Sequence, residues 1–496
     1  MLKTQTPAMQ APAGHAQPNG PDEGRTIETQ VPARLDRLPW SGWHARIVFA
    51  LGTSWLLDGL QVTLAGSLAG ILEAKNGLGL TAPQVTAGAT TYLAGAVVGA
   101  ILFGYLTDRL GRRKLFLVTL ATYSLATAAS ALSWNFFSFA AFRMITGLGI
   151  GGEYAAINSA VDELIPSNVR GTVDLAVNAT FWVGAAIGSL ASLLLLNGHV
   201  IAPNLGWRVA FGVGAALGIG VFFLRLSVPE SPRWLMLRGR DEEADKIVSE
   251  IEGKVSSKSG ELPAVEGEKL KLKVRDHTPW REVFHNMWVD QRSRSILALV
   301  LMIGQSFFFN SVFFTYGLVV KKFFNVSDQQ MPLHLLPFAL GSFFGPIALG
   351  RLFDKIGRKP MIAATYGLSG LLLAATVFPF AHGSLTPKTL DICFSVIFFV
   401  ASSAASAAYL TVSEIFPLEI RAFAIAIFYA IGTLLGGVAA PLLFGVLIAS
   451  GSRWHVSIGY LLGAFLMMAG SACEMFIGVE TAGKSLESIS QPLQSA

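Results

Sequence analysis

The clearest charged side chains within the long apolar runs of the chain are three. Asp58 interrupts the first run, and Arg143 and Glu153 interrupt the fourth. A charge at the centre of a membrane helix costs about 2.5–3.5 kcal/mol on insertion scales, so such residues are rare and typical of ion or proton pathways. A nearby cation stabilises the charged form of a carboxylate, so the group releases its proton; when the cation moves away, burial favours the protonated form. A carboxylate that gains and loses a cationic partner can therefore carry a proton.

Helix geometry predicts that two of these charges lie at the same depth. At about 1.5 Å per residue, Asp58 lies roughly 18 Å above the inner boundary and Arg143 roughly 21 Å above it, whereas Glu153 lies only about 6 Å above it. We therefore predict an Asp58–Arg143 ion pair that carries the proton, with a static structural pair as the alternative. For Glu153 two roles are open: a second proton site nearer the cytoplasm, or a locally paired glutamate.

Amide and aromatic side chains in other apolar runs are candidates for contact with a solute. Asn178 and Trp182 are four residues apart and share one helix face, while Gln305 and Asn310 flank three phenylalanines, with Tyr316 beyond them. A few amides among several rings suit a small, partly apolar, oxygenated metabolite. Each amide has an alternative role as a hydrogen bond between helices. Because no other Arg or Lys is clearly buried, a polyanion such as phosphate is not expected.

Membrane helices must position these residues. The chain has 496 residues, of which 52% are apolar and only 14% charged, whereas soluble domains carry about 25% charged residues. A bilayer core of about 30 Å needs roughly twenty apolar residues per helix. Twelve such runs lie near 46–72, 84–106, 115–134, 136–157, 173–197, 208–228, 296–320, 333–353, 361–381, 389–412, 422–450 and 455–478.

The two halves of the chain repeat one design. A series of glycines followed by Asp, Gly and Arg returns 246 positions later with unchanged spacing, as Gly95, Gly99, Gly104, Asp108, Gly111 and Arg112 and then Gly341, Gly345, Gly350, Asp354, Gly357 and Arg358. Small residues four apart let membrane helices approach closely, and duplicated units are how many transporters surround a central site. We predict an all-α membrane protein with twelve transmembrane helices in two pseudo-symmetric six-helix bundles.

The predicted organisation has five parts. Residues 1–40 are expected to be a disordered cytoplasmic tail, 41–228 the first bundle, 229–294 a cytoplasmic linker with short helices, 295–480 the second bundle and 481–496 a cytoplasmic tail. The basic loops after the second and eighth spans place both termini in the cytoplasm, since Lys and Arg are enriched in cytoplasmic loops.

Charges at the inner helix ends are candidates for a cytoplasmic gate. The set mixes carboxylates with cations, which simple cation enrichment would not produce, and its alternative role is to fix topology alone. Its ion pairs would form when the inner side is closed and break when it opens. The set comprises Asp108, Arg109, Arg112, Arg113, Glu163, Arg170, Asp354, Arg358, Glu414 and Arg421.

Four segments carry a family resemblance. They resemble segments of the major facilitator superfamily, especially of its sugar porters and metabolite–proton symporters. The four are the loops at 104–114 and 350–359, Pro-Glu-Ser-Pro-Arg-Trp-Leu at 229–235 and Glu-Thr-Ala-Gly-Lys-Ser-Leu-Glu at 480–487. The resemblance implies two six-helix bundles around a central cavity, alternating access and a monomer.

The resemblance extends to the charged residues. Arg143 with the glycines that follow it is similar to a fourth-span motif of proton-coupled sugar porters, whose arginine partners a first-span aspartate. Asp58 resembles the first-span aspartate of aromatic-acid symporters. In those symporters a second aspartate often follows; Gln61 stands at that position here and is counted among the solute contacts. Glu153 resembles a fourth-span carboxylate of proton-coupled phosphate and organic-solute symporters.

These observations predict a secondary active transporter that takes up a small organic metabolite with a proton. The expected partners are the solute, the proton and the bilayer of the plasma membrane, without nucleic acid and without a cofactor beyond the proton gradient. Open alternatives are an uncoupled facilitator, an efflux antiporter and a solute-sensing membrane protein. An enzyme is not expected, because the sequence has no metal-ligand spacing, nucleophile motif or phosphate loop.

Overall fold

Helices dominate the structure, a computed structural model that describes residues 25–73, 77–195, 201–265, 269–274, 278–327 and 330–493. The first half consists of β1 (Thr26–Thr29), α1 (Val31–Asp36), α2 (Gly42–Ser67), α3 (Ala69–Glu73), α4 (Ala82–Leu110), α5 (Arg112–Ala131), α6 (Phe136–Leu164), α7 (Arg170–Leu195) and α8 (Pro203–Arg225). The middle segment holds α9 (Pro232–Leu237), α10 (Asp241–Ser259), β2 (Leu270–Lys273) and α11 (Trp280–His285). The second half consists of α12 (Arg292–Phe324), α13 (Met331–Lys355), α14 (Arg358–Ala381), α15 (Pro387–Ile415), α16 (Arg421–Gly432), α17 (Ala439–Ala449), α18 (Arg453–Ile477) and α19 (Leu486–Ile489).

Eleven helical stretches in the described part of the chain are long and apolar enough to cross a membrane. One of them, Leu418–Ala449, joins α16 to α17 through a π-helical turn at Thr433–Val438. The twelfth span is α6, whose 29 residues include Arg143 and Glu153 and which packs along α4 and α5. The charges that lower the hydropathy of α6 are thus covered by neighbouring helices.

Glycines allow the helices within each bundle to touch backbone to backbone. A Cβ atom on Gly99 of α4 would lie 2.0 Å from the carbonyl oxygen of Leu148 in α6, and one on Gly345 of α13 would lie 1.8 Å from that of Phe399 in α15. Both distances are far inside van der Waals contact, so only glycine fits. The predicted role of the repeated glycines in close packing is confirmed.

A layer of short elements outside the bundles contains residues that were expected to belong to a disordered tail. β1 pairs antiparallel with β2, with Thr26 opposite Lys273, and Val31 and Leu35 of α1 are buried against α9 and α10. The prediction of disorder is wrong for residues 25–40, because apolar side chains there cover the apolar face of the linker helices. The prediction for residues 1–24 lies outside the described residues.

The middle segment contains one long helix, α10, which runs from Asp241 to Ser259. Val255, one turn before its end, is fully buried, so the apolar face of α10 extends into its last turn.

Candidate functional site

A cavity of about 170 Å³ lies between the two bundles. An apolar cavity of about 150 Å³ in another protein binds benzene, so this one has room for a single ring with a small substituent. Aromatic rings, amides and hydroxyls dominate its wall. The lining residues are Trp55, Asp58, Val62, Tyr92, Leu93, Tyr154, Asn178, Phe181, Trp182, Gln305, Ser306, Phe309, Asn310, Phe313, Ser402, Ala405, Ser406, Tyr409, Tyr429 and Thr433.

Asp58 of α2 is the carboxylate in this wall, and two tyrosines hold it. Its side chain is almost fully buried. Tyr92 of α4 donates its hydroxyl to Oδ1 at 2.6 Å, and Tyr154 of α6 donates its hydroxyl to Oδ2. Three helices of the first bundle therefore meet at one carboxylate, and any change in its protonation alters hydrogen bonds to two of them.

Arg143 does not pair directly with Asp58. Among the described residues no ion pair joins them; the Arg143 guanidinium lies over the ring of Tyr92, 4.4 Å from its centroid, and 5.6 Å from that of Phe211. The predicted direct ion pair is absent from this structure, because the Asp58 oxygens accept from Tyr92 and Tyr154 instead. Tyr92 instead connects them, with its hydroxyl on the carboxylate and its ring face on the cation.

An aromatic layer shared by both bundles forms the cytoplasmic side of the cavity. Tyr154 stacks on Tyr429 of the second bundle with a centroid distance of 4.6 Å. Trp55 packs edge-on against Tyr154 at 4.4 Å and against Tyr409 at 5.9 Å. Tyr154 thus binds Asp58 and also contacts the second bundle.

A second aromatic cluster forms the outer side of the cavity. Trp182 of α7 contacts Phe309, Phe313 and Phe338 of the second bundle, with centroid distances of 5.7, 5.4 and 5.7 Å. A solute in the cavity would lie between this cluster and the tyrosine layer, as alternating access requires of a central site.

The two predicted asparagines line the cavity, but their amide nitrogens bond within their own helices. Asn178 donates to the carbonyl of Asp174 at 2.9 Å and Asn310 to that of Ser306 at 2.7 Å. Neither amide nitrogen links two helices, contrary to the alternative role considered for them. The roles of Asn178, Trp182, Gln305 and Asn310 in binding solute stay predictions.

Two other predicted solute contacts lie outside the cavity. Gln61 faces α5, where its carbonyl oxygen accepts from the Thr127 hydroxyl at 3.2 Å. Tyr316 is fully buried within the second bundle and donates to Asp391. The assignments of Gln61 and Tyr316 to the solute site are therefore corrected: helix rotation, which spacing alone does not fix, turns both away from it.

Glu153 is paired with a cation that the sequence analysis missed. Arg225, the last residue of α8, is 3.0 Å from the Glu153 carboxylate, and both side chains are fully buried. This arrangement matches the locally paired alternative, and it also corrects the expectation that no basic residue beyond Arg143 is buried. The signal was available, because Glu153 and Arg225 both lie near the inner ends of their predicted spans, 136–157 and 208–228.

The cytoplasmic side of the cavity is closed by two pseudo-symmetric contacts between the bundles. Asp108 at the end of α4 accepts from the backbone N–H of Phe423 in α16 at 2.9 Å. Asp354 at the end of α13 accepts from the N–H groups of Gly171 and Thr172 in α7 at 3.1 and 2.7 Å. The N-terminus of a helix attracts negative charge, so each aspartate binds the helix start of the opposite bundle.

Arginines hold these aspartates in place. Arg112 lies 3.0 Å from Asp108 and 2.8 Å from Glu163, and Arg358 in the same way joins Asp354 to Glu414, the latter at 3.3 Å.

One ion pair crosses directly between the bundles, from Arg170 to Glu414 at 3.5 Å. Arg421 donates to the Phe416 carbonyl at 3.4 Å, within the second bundle. Two gate candidates do not belong to this network: Arg109 and Arg113 are exposed and, in the described part of the chain, make no ion pair with the other bundle. They point to solvent, as cations that only fix topology do.

The two family-like segments have a structural role that the sequence analysis did not assign. Glu230 accepts from the backbone N–H of Arg112 at 2.8 Å, and Glu480 accepts from that of Arg358 at 2.9 Å. Each glutamate thus caps the first turn of a helix that follows a gate aspartate. Burial raises the pKa of Glu230, while its bonds to the N–H groups act in the opposite direction.

Comparison with solved structures identifies the fold. The chain resembles the proton:xylose symporter XylE bound to 6-bromo-6-deoxy-D-glucose, with a TM-score of 0.72 at 20% identity over 90% of this chain and 98% of that one. A partially occluded inward-open XylE from E. coli gives a TM-score of 0.63 at 18% identity, over 87% of this chain and 98% of that one. The fold is therefore that of the major facilitator superfamily.

Comparison with sequence families identifies the branch. The family model "Sugar (and other) transporter" matches residues 61–493, and the chain belongs to this family. The niacin transporter NiaP of Acinetobacter baylyi is 28% identical, over 92% of this chain and 99% of its own. The putative metabolite transport protein YdjK of Escherichia coli is 30% identical, over 92% of this chain and 96% of its own. The arabinose-proton symporter of Bacillus subtilis is 26% identical, over 80% of this chain and 84% of its own. The protein is a multi-pass membrane transporter of small solutes, not an enzyme.

Proposed function

We propose that this transporter imports a small monocyclic organic acid, or its amide, together with a proton. The observation that carries the proposal is a buried carboxylate, Asp58, in the wall of a cavity the size of one substituted ring. Rings on both sides of the cavity suit a flat aromatic solute. A relative named as a niacin transporter and another named as an arabinose-proton symporter support the solute class and the coupling, respectively.

Tyr154 supplies the coupling step. Solute and proton enter from outside while the gate aspartates keep the cytoplasmic side closed. Protonation turns Asp58 from a pure acceptor into a donor, so one of its two tyrosine bonds must change. Tyr154 also stacks on Tyr429. When its hydrogen bond to Asp58 breaks, Tyr154 can move, which loosens the contact between the bundles and favours opening toward the cytoplasm.

Charge balance explains why a proton accompanies an acidic solute. Two anions in a cavity of low dielectric repel each other strongly, so a solute carboxylate and an ionised Asp58 exclude one another. A protonated Asp58 accepts the anion without this penalty, and together they move no net charge. The transmembrane proton gradient is then the only energy source, and the protein works as a monomer in the plasma membrane with both termini in the cytoplasm.

Uptake by purified protein in sealed liposomes tests the proposal. Thermal-shift screening of monocyclic acids, amides and pentoses, starting with nicotinate, selects solutes for transport. An inward proton gradient is expected to concentrate the solute inside, and a protonophore to abolish the accumulation while equilibration continues. Accumulation that ignores the gradient, or binding only of solutes larger than one ring, would overturn the proposal.

A second function has one observation in its favour. Both oxygens of Asp58 already accept hydrogen bonds, as a carboxylate with a purely structural role would. The protein would then be an uncoupled facilitator, and solute would equilibrate across the liposome membrane at the same final level with and without the proton gradient.

A further inference from the structure

Three titratable side chains from three helices meet near the outer end of the second bundle. His334 of α13 lies 2.7 Å from Asp391 of α15, Nδ1 to Oδ2, and Tyr316 of α12 donates its hydroxyl to the other oxygen of Asp391. The side chains of His334 and Asp391 remain 16% and 12% exposed. None of the three lines the central cavity, so this cluster is separate from the site already described.

The cluster lies about one helical turn outward of the positions that repeat the Asp58 site in the second half. α15 repeats α6, since both bounds are offset by the same 251 positions, and the glycine series relates α13 to α4. Tyr92 and Arg143 therefore correspond to positions 338 and 394, and His334 and Asp391 precede these by four and three residues. At about 1.5 Å per residue, the second cluster lies roughly 5–6 Å nearer the outside.

We propose that His334, Asp391 and Tyr316 form a second proton-binding site, through which the external pH controls the affinity for solute. Histidine is the side chain that ordinarily changes charge between pH 5 and 8. Within the described residues, the Tyr316 hydroxyl also lies near Tyr460 of α18 and Cys393 of α15. The Asp391 carboxylate is the charged group that the described part of the chain pairs with His334.

Phe338 connects this cluster to the solute cavity. It lies one turn after His334 on α13, packs on Tyr316 with a centroid distance of 6.3 Å and contacts Trp182 at 5.7 Å. Trp182 belongs to the first bundle and lines the cavity. A shift at the outer end of α13 therefore moves an aromatic contact that closes the outer side of the cavity.

The direction of the effect follows from the strength of the His334 bond. A charged imidazole makes a stronger hydrogen bond to a carboxylate than a neutral one does, so low external pH holds α13 against α15 and keeps Phe338 on Trp182. The outer side of the cavity then closes more readily over the solute. Apparent affinity is expected to rise as the external pH falls.

Solute exchange in liposomes tests this site without requiring net proton transport. The half-saturation concentration for the screened solute is measured between external pH 5.5 and 8 with the internal pH fixed. In the parent it is expected to rise about fivefold across this range, the low end of typical coupling between sites. In the Asp58→Asn background, where the central carboxyl no longer changes charge, His334→Gln is expected to flatten the profile and Tyr316→Phe to weaken its slope. His455→Gln, which changes an exposed histidine, is expected to leave the profile unchanged.

The inference rests on the proposed uptake function, but its test separates the two. If Asp58→Asn loses proton-driven accumulation while its exchange keeps the pH profile, both the coupling carboxylate and the second site stand. If accumulation proves independent of protons but His334→Gln still flattens the exchange profile, only the coupling proposal fails. A His334→Gln profile that superimposes on that of the parent overturns the second site.

Discussion

At the scale of single residues, the charged side chains divide into a central carboxylate and a buried pair. Asp58 lies in the cavity wall and depends on two tyrosines, whereas Glu153 lies next to Arg225 and away from the solute. The two carboxylates therefore call for different experiments, although both interrupt apolar helices.

Glu153→Gln is expected to destabilise the protein rather than to uncouple it. Removing one partner of a buried ion pair typically costs about 3–5 kcal/mol, because the other charge is left unpaired, whereas replacing both partners is often neutral. The double variant Glu153→Gln with Arg225→Met should regain most of the lost stability. Thermal unfolding in detergent measures both. A Glu153→Gln protein as stable as the parent that has lost proton-driven uptake would instead establish a second proton site.

Residue depth was predictable from the sequence, but residue contacts were not. The level positions of Asp58 and Arg143 follow from the fixed rise of a helix. The side chain that contacts both of them is Tyr92 on another helix, whose rotation depends on how tightly Gly95 and Gly99 pack against α6. The same uncertainty in rotation explains why Gln61, three residues after Asp58, faces α5 instead of the solute.

At the scale of helices, the repeated glycines set the distance between neighbours. Gly345→Ala is expected to lower stability by about 1–3 kcal/mol, because the new methyl group would overlap the Phe399 carbonyl. Gly445→Ala is the matched control, since a Cβ atom there meets nothing within 4 Å. Unfolding midpoints in detergent compare the two. Equal midpoints for both variants would contradict the close-packing role.

The closed cytoplasmic gate predicts a shift in conformation when one aspartate loses its charge. Asp354→Asn weakens the cap on α7, and losing such a cap costs about 0.5–2 kcal/mol. One to two kcal/mol changes a two-state ratio by about 5–30-fold, here toward the inward-open state. Arg113→Gln is the control, because this exposed side chain bonds only within its own bundle.

Distances between spin labels on the cytoplasmic ends of α5 and α13 measure this shift. Lys114→Cys and Lys355→Cys, in a background without Cys393 and Cys473, place one exposed label on each bundle. Asp354→Asn should move the distance distribution to longer values. A distribution unchanged from the parent would show that the aspartate does not hold the gate.

At the scale of the whole molecule, segments near both ends of the described residues, α1 and α19, belong to one layer of short elements outside the bundles. Asp36 of α1 lies 3.3 Å from Arg170 and 3.1 Å from Arg233, and Arg233 also pairs with Glu487 of α19 at 2.5 Å. The sequence predicted the twelve spans because each carries its own apolar signal. It did not predict this layer, because β1 and β2 are far apart in the chain and each is too short to be recognised alone.

The tail contact predicts a specific dependence of stability on pH. Burial alone would raise the pKa of Glu487, but the Arg233 guanidinium keeps it below its usual range. A carboxylate with a depressed folded pKa stabilises the protein above its unfolded value of about 4.3 and loses this effect as the pH falls through the folded value. Near pH 6–7, Glu487→Gln should therefore unfold at a lower temperature than the parent. The expected loss in free energy of unfolding is about 1.5–3 kcal/mol, the contribution of a charged hydrogen bond. This loss should shrink below about pH 4.3.

Glu243→Gln provides the control for this prediction. Its partner Arg240 is 50% exposed and Glu243 is 45% exposed, and exposed ion pairs contribute little. Thermal unfolding of the control should follow the parent at every pH. A gap between Glu487→Gln and the parent that stays constant on acidification would contradict the ionic origin of the contact.

The central claim is that one carboxylate links solute movement to proton movement between the two bundles. Its most direct test is the internal pH of sealed liposomes, read by a trapped pH dye while an inward solute gradient is imposed without any initial pH gradient. The parent protein is predicted to acidify the interior as solute enters, and Asp58→Asn to let solute exchange without acidification. Solute entry through the parent with no change in internal pH, or acidification that persists in Asp58→Asn, would contradict the claim.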